Sequence, residues 1–438
     1  MVTHRFVNCR TCGRLTVAVG VRLLDRMDEL PHQIRLPSEI PRVEPLPPSI
    51  DVIRARRETP GCETVLHLNN AGASLMPDCV VEAIANHLRL EAEIGGYEAA
   101  ERAERPLSRA YDAIAGLIGA ERDEIALTEN GTRAWDMLFY GQPFAPGDRI
   151  LTGVSEYGSN YLAFLQVARR TGVQIEVIPN DEAGQLSITA LEAAIDDRVK
   201  LISLTHVPTN GGLVNPAAAV GRLARAAGIP YLLDAVQSVG QMPIDVRAIG
   251  CDMLTATGRK FLRGPRGTGF LYVRRELAER LEPPFIDQGS ATWLSPEEYQ
   301  LRAGAGRFES WEGNIAGRIG LCVAVEYART WGLDLIAARV RGLAGRLRAM
   351  LGELRGVTVR DLGQDRCAIV TFTVDGADPD DVREQLREQG INISVSRAHQ
   401  TRLDMDARGF TALLRASVHY YNTDTELTRF CTAIANLA

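Results

Sequence analysis

Between residues 125 and 273 one pattern recurs: a short apolar run, then a longer stretch whose apolar positions return every three or four residues. The runs fall at 125–128, 149–152, 175–178, 201–205, 231–234, 253–256 and 269–273, with helix-length segments such as 159–170 and 216–227 between most of them. Strands that are apolar along their whole length, alternating with amphipathic helices, predict a mostly parallel sheet covered on both faces. Ligands of such sheets collect on the loops at the carboxyl ends of the strands. Upstream, Val65-Leu66-His67-Leu68 predicts a short strand that ends in the small-residue loop 69–74. A helix is predicted from about Pro77 with Val80, Val81, Ile84 and Leu88 on one face. A break at 91–97 and a second helix through Leu107, Ala110, Ile114 and Leu117 follow. After Ile315 the order changes to a long helical region to Leu354, strands at 357–362 and 367–374, a helix over 379–389, strands at 391–395 and 412–416, and a final helix from Asp424. That order predicts a smaller α+β domain. The expected division is a Pro-rich extension over 1–62, a large domain over 63–315 whose first segment is shared with the small domain, and the small domain over 316–438.

Composition narrows the class. With 438 residues, 45% of them hydrophobic and 24% charged, the chain is of ordinary globular make-up. A formal net charge of −6 and the lack of a basic stripe argue against nucleic acid as a partner. No apolar run is long enough for a membrane span. Pro31, Pro37, Pro41, Pro45, Pro47 and Pro48 disfavour regular structure in the leader. A surface wrap, a disordered segment and an artefact of an upstream start codon all remain open for it. No small-residue cleavage pattern follows its mildly apolar stretch, so a signal peptide is not expected. The eight cysteines are scattered, and Cys9 and Cys12 form a lone CxxC without a second pair at metal spacing. Free thiols in a reducing cytoplasm are the expectation, with no metal site.

Candidate chemistry begins with a scarcity. Lys200 and Lys260 are the only lysines among 49 basic residues. Guanidinium stays protonated and is a poor nucleophile, so chemistry that needs an amine able to lose its proton cannot accept Arg. Lys260, set among small residues ahead of a glycine-rich run, is therefore a candidate Schiff-base lysine. Asp234 ends the most apolar predicted strand, where an acid must be paired or functional. Gln237 lies three residues on, and Lys260 follows after one further strand, which places both side chains at one rim. An acid for a pyridine nitrogen and an amine for an aldehyde are the two groups that pyridoxal phosphate requires. Asn130-Gly131-Thr132-Arg133 opens a helix, where backbone N–H groups and the Thr132 hydroxyl can cradle a phosphate.

Taken in order, several stretches resemble the class V aminotransferase-fold enzymes, the relatives of cysteine desulfurases and isopenicillin epimerases. They are the 69–74 loop, Asn130-Gly131-Thr132, Glu156-Tyr157, His206-Val207-Pro208-Thr209-Asn210-Gly211-Gly212, Asp234-Ala235-Val236-Gln237, Thr257-Gly258-Arg259-Lys260, Arg307-Phe308-Glu309-Ser310 and the segment from Arg415 to Thr423. The resemblance implies the aspartate-aminotransferase-like α/β fold (fold type I) and pyridoxal 5′-phosphate. It implies Lys260 as covalent anchor and Cα base, Asp234 on the pyridinium nitrogen, Gln237 at the ring 3-oxygen and Tyr157 stacked on the ring. Thr132, Arg133, Thr209, Thr257 and Arg259 are implied cofactor contacts, with Ser290 reaching the phosphate from a dimer partner. Arg415 and Asn70 are implied for the substrate, Arg415 as the carboxylate clamp. Desulfurases carry a nucleophilic Cys in the region matching 390–399, and this chain has none there. Residues 91–101 resemble the ergothioneine-pathway C–S lyase, and lincosamide-pathway enzymes act on related conjugates. The resulting expectation is a cytoplasmic, homodimeric C–S β-lyase of actinobacterial secondary metabolism that acts on a cysteine S-conjugate and releases pyruvate and ammonia. A decarboxylating deaminase, an epimerase or an aminotransferase is the alternative.

Overall fold

The computed structural model describes residues 49–438, which form one compact unit. The leader as far as residue 48, Cys9 and Cys12 included, lies outside the described residues. The predicted leader runs too long, because residues 50–62 already belong to the fold. Val52–Arg57 is a helix capped by Asp51, and Ile50, Ala55 and Cys62 are buried in the C-terminal core. Its arginine-rich turn hides that single apolar contact from a reading of periodicity.

β1 (Leu66–His67) is shorter than predicted and pairs in parallel with β13 (Ile391–Asn392), so the first strand is held by the small domain. The seven apolar runs become β2 (Ile125–Thr128), β3 (Arg149–Gly153), β4 (Gln174–Ile178), β5 (Val199–Thr205), β6 (Tyr231–Asp234), β7 (Met253–Thr257) and β8 (Gly269–Val273). They form one sheet in the order β2-β8-β7-β6-β5-β3-β4, with β8 antiparallel to its neighbours. One face packs on Ile114, Val220 and Leu321, the other on Trp135, Phe139 and Phe164, which explains why the strands are apolar on both sides. Thr205 aligns with Asp234, and Asp234 with Thr255, so the central strands end at a common rim.

The small domain is a four-stranded antiparallel sheet in the order β11 (Val357–Val359), β12 (Ile369–Val374), β15 (Ala412–Ser417), β14 (Ser394–Arg397). Cys367 sits just ahead of β12 and not within it. The long helical region divides at Gly332 (φ 80°) into Ile315–Trp331 and Leu333–Gly352. Two features depart further from the sequence pattern. On the helix Asp78–Ile94, Val80 and His87 are buried, whereas Val81 and Leu88 are 45% and 51% exposed. A hairpin of β9 (Ala291–Ser295) and β10 (Glu298–Leu301) was not foreseen, because its residues are largely exposed and carry no apolar alternation. No helix among the described residues is long and apolar enough to cross a membrane.

Candidate active site

The rim of the sheet opens into a cavity of 470 Å³ lined by Asn130, Thr132, Arg133, Tyr157, Asn160, Thr209, Asp234, Gln237, Thr257, Arg259 and Lys260, among others. One end is the start of the helix Gly131–Phe139. Asn130 caps it by accepting from the Arg133 N–H at 2.8 Å, which leaves the preceding N–H groups without helical partners. A Cβ on Gly131 would lie 2.5 Å from Val236 Cγ2, so only glycine lets this turn sit against the loop after β6. Thr132 and Arg133 lie on that turn, Thr257 ends β7, and Arg259 donates to the Gly72 carbonyl. Together these groups make a cationic, N–H-rich pocket suited to a phosphate.

At the centre Asp234 is fixed by two donors, Val236 N–H at 3.0 Å and Asn160 Nδ2 at 2.9 Å. Burial raises its pKa, while the Asn160 and Val236 bonds and the charge of Lys260 pull it down. The Lys260 amine is pushed down to about 7, first by burial and then by the Arg259 charge, against the opposing pull of Asp234. An amine so placed sheds its proton near neutrality, as a base and a nucleophile must. Gln237 donates to Ala71 O at 3.2 Å, and its Oε1 is buried without a partner.

On the far side Arg415 projects from β15. One Nη donates to Thr209 Oγ1, the other to Asn69 Oδ1 at 3.4 Å, and its Nε is buried without a partner. Burial, with the Arg259 charge, lowers its pKa to about 10. Arg415 makes no ion pair among the described residues, and a buried guanidinium in that state is a receptor for an anion.

These residues fit pyridoxal 5′-phosphate. The cup would take the phosphate, Asp234 the ring nitrogen, the orphaned Gln237 Oε1 a ring substituent, and Lys260 the aldehyde. Tyr157 stands at the wall, its backbone N–H donating to Glu156 Oε1 at 2.8 Å. Three expected contacts are not among the cavity's lining residues: Arg415, which reaches the lining residue Thr209, and Asn70 and Ser290. Asn70 is fully buried, with its amide consumed by Ser417 O at 2.7 Å and by the Tyr421 hydroxyl, and it is Asn69 that reaches Arg415. Ser290 is buried in its own turn against Asp287. Asn160 was missed, although its place four residues after Glu156 at a helix start puts the two side chains one turn apart.

The family model for aminotransferase class-V matches residues 66–430. A probable cysteine desulfurase of Methanothermobacter thermautotrophicus is 33% identical over 381 residues, spanning 85% of this chain and 94% of its own. One from Xylella fastidiosa is 32% identical over 381 residues, spanning 84% and 90%. Among solved structures, the apo cysteine desulfurase of Thermococcus onnurineus superposes with a TM-score of 0.82 at 29% identity, covering 88% of this chain and 97% of its own. The cystine C–S lyase C-DES, in complex with its product cysteine persulfide, shares the fold with a TM-score of 0.78 at 22% identity, covering 86% and 99%.

Proposed function

The chain belongs to the class V aminotransferase family, and from that premise we propose that it is a pyridoxal-phosphate-dependent C–S β-lyase acting on a cysteine S-conjugate. One observation carries the reading: the buried Arg415 guanidinium, without an ion-pair partner among the described residues, donates to Thr209 on the wall of the cavity and lies close enough to Lys260 for its charge to help depress that amine. This arrangement suits an α-amino acid, with the carboxylate in the Arg415 fork and the Cα proton within reach of Lys260. Thr209 and Asn69 hold the fork in place.

When bound, the cofactor supplies the sink for the electron pair released at Cα. Lys260 would anchor it covalently and, once freed by the substrate amine, would take the Cα proton on Nζ. Asp234, whose two donors favour its anionic form against burial, would hold the ring nitrogen. The protonated Lys260 is the acid at hand for the departing sulfur. Water completes the balance: an S-conjugate and one water give a thiol (or sulfenic acid), pyruvate and ammonia.

Relatives named as desulfurases make a persulfide-forming enzyme the natural competitor. Against it, no cysteine among the described residues lines the cavity. Cys367 lies close enough to influence Arg415 but is fully buried, and burial pushes its thiol up to about 11. The narrower substrate, an ergothioneine-type sulfoxide or lincosamide-type thioether of actinobacterial secondary metabolism, rests on the resemblance of residues 91–101. Tyr97 of that stretch sits beside Trp311 and away from Lys260. The reading includes a homodimer, supported by the exposed Phe285, Trp293, Tyr299 and Trp311, which a second copy would cover. It includes a cytoplasmic location, supported by free thiols at Cys62, Cys79, Cys251, Cys322, Cys367 and Cys431.

The test is a panel of S-substituted cysteines with pyruvate as the readout. Pyruvate in proportion to released thiol is expected. Aldehyde, inverted amino acid, keto-acid exchange or alanine with persulfide in its place would overturn the lyase assignment.

A further inference from the structure

Two buried acids meet at the cavity, Asp234 on its wall and Glu156 outside the lining, and neither has a salt-bridge partner among the described residues. Glu156 follows β3 at the start of the helix Gly158–Thr171, and Asp234 ends β6. Between them stands Asn160. Its Nδ2 reaches Glu156 Oε1 at 2.8 Å and Asp234 Oδ2 at 2.9 Å. An amide nitrogen has two hydrogens, and here both are committed to carboxylate oxygens. The opposite amide orientation would set a carbonyl oxygen against two acceptors, so the network itself decides which way Asn160 points.

Glu156 is over-determined. Its Oε1 also accepts from the Tyr157 N–H at 2.8 Å and from the Thr205 hydroxyl, and Oε2 accepts from the Thr152 hydroxyl at 2.9 Å. Two of the donors to Oε1 are N–H groups that cannot act as acceptors, so Oε1 carries no proton. Four donors oppose the burial of this acid, which still raises its pKa, and its fixed position in turn fixes Asn160. Asp234 differs: each of its oxygens takes one donor, Val236 N–H on Oδ1 and Asn160 on Oδ2. Burial drives Asp234 toward its neutral form, and the Asn160 bond is the largest of the influences opposing it.

We propose that Asn160, held in orientation by Glu156, is a positioning residue that keeps Asp234 anionic and aimed at the cofactor's ring nitrogen. Removing a donor from an anion raises that anion's proton affinity. Without Asn160 the proton shared by Asp234 and the ring nitrogen shifts toward Asp234, and the charge-assisted pairing is lost. Glu156 acts as an acceptor that orients the amide. Its negative charge is not what the site uses, because a like charge behind Asp234 favours protonation of Asp234.

The inference rests on the cofactor assignment and not on the identity of the substrate. Its test compares the binding of two probes, pyridoxal 5′-phosphate and its 1-deaza analogue, which has carbon in place of the ring nitrogen. Binding is followed by equilibrium dialysis on the full chain. For Asn160→Ala, the affinity for pyridoxal phosphate is expected to fall by about ten- to a hundredfold, the worth of a charge-assisted hydrogen bond. The affinity for the deaza analogue, which offers Asp234 nothing to pair with, is expected to change by less than about threefold. Glu156→Gln, which keeps an acceptor for Asn160, should leave both affinities near wild type. Asn160→Ser, smaller and self-hydrating, repeats the comparison should the alanine variant fail to fold. Equal losses for both probes would show a purely structural role and overturn the proposal, as would no loss for either. Failure of the wild-type chain to bind pyridoxal phosphate would instead overturn the cofactor assignment itself.

Discussion

Replacing Lys260 by Met should make the cofactor-free protein more stable, and by an amount that depends on pH. Burial, with the Arg259 charge, lowers the Lys260 pKa from 10.5 to about 7. Each unit corresponds to about 1.4 kcal/mol, so the site penalises the ammonium form by roughly 5 kcal/mol. Between those two pH values the unfolded chain holds the proton and the native chain does not, so native stability rises with pH across that window. Below about pH 7 both states are protonated and the penalty is present in full. Met has a similar volume and nothing to ionise. That shift already includes the favourable charge of Asp234, so Lys260→Met should gain about 3–5 kcal/mol near pH 6. The gap should close as pH rises toward about 10. Urea unfolding of the two proteins, freed of cofactor, at a series of pH values reads the difference directly. A gap that stays constant over that range, or a variant less stable than wild type at acid pH, would refute the view that the site strains its lysine.

Three further outcomes follow from the geometry. Arg415→Lys keeps a charge but loses the fork set by Thr209 and Asn69, so KM for an amino-acid substrate should rise about tenfold or more with cofactor affinity unchanged; a parallel loss of cofactor would contradict the assignment of Arg415 to the carboxylate. Gly240→Ala adds a Cβ at φ 94° within 2.6 Å of Leu262 N, beside the turn that carries Lys260. It should cost about 2–4 kcal/mol in chemical denaturation and weaken cofactor binding as well. Arg263 has φ 61° and is buried against the faces of Tyr327, Tyr420 and Tyr421, donating to Leu75 O, the Tyr420 hydroxyl and Thr59 Oγ1. Arg263→Ala should lower stability by about 3–5 kcal/mol through the cavity and the stranded acceptors, and a change below about 1 kcal/mol would show the joint to be ornamental.

Six of the seven runs of the central sheet were legible because a strand buried on both faces leaves an apolar signature that no loop imitates; the seventh, the edge strand β4, is half-exposed and shows apolar residues at Ile175, Val177 and Ile178 only. Lys260, Asp234 and the turn at Thr132 were legible because each stands where such a strand ends, and the rule about strand ends is one of topology. The hairpin at 291–301 and the outward Val81 and Leu88 were not, since exposure erases periodicity and an apolar residue on a helix does not say which neighbour awaits it. The helix at 52–57 was hidden by its arginines, one of which, Arg56, donates to the Tyr421 carbonyl 365 residues further along the chain.

Sequence by itself determined the chemistry on offer: an amine that Arg cannot replace, an acid at the end of a buried strand, a glycine-opened helix start and an arginine in the second domain. Tertiary structure decided what those groups are. Burial and the nearby Arg259 bring Lys260 close to neutrality in solution at physiological pH, which no local spacing encodes. Folding chose Asn69 over Asn70 to hold Arg415, by spending the Asn70 amide on Ser417 and Tyr421. It also set Asn160 between two acids that lie far apart in the chain. A pKa and an orientation are properties of what surrounds a side chain, and the surroundings exist only once the strands have come together.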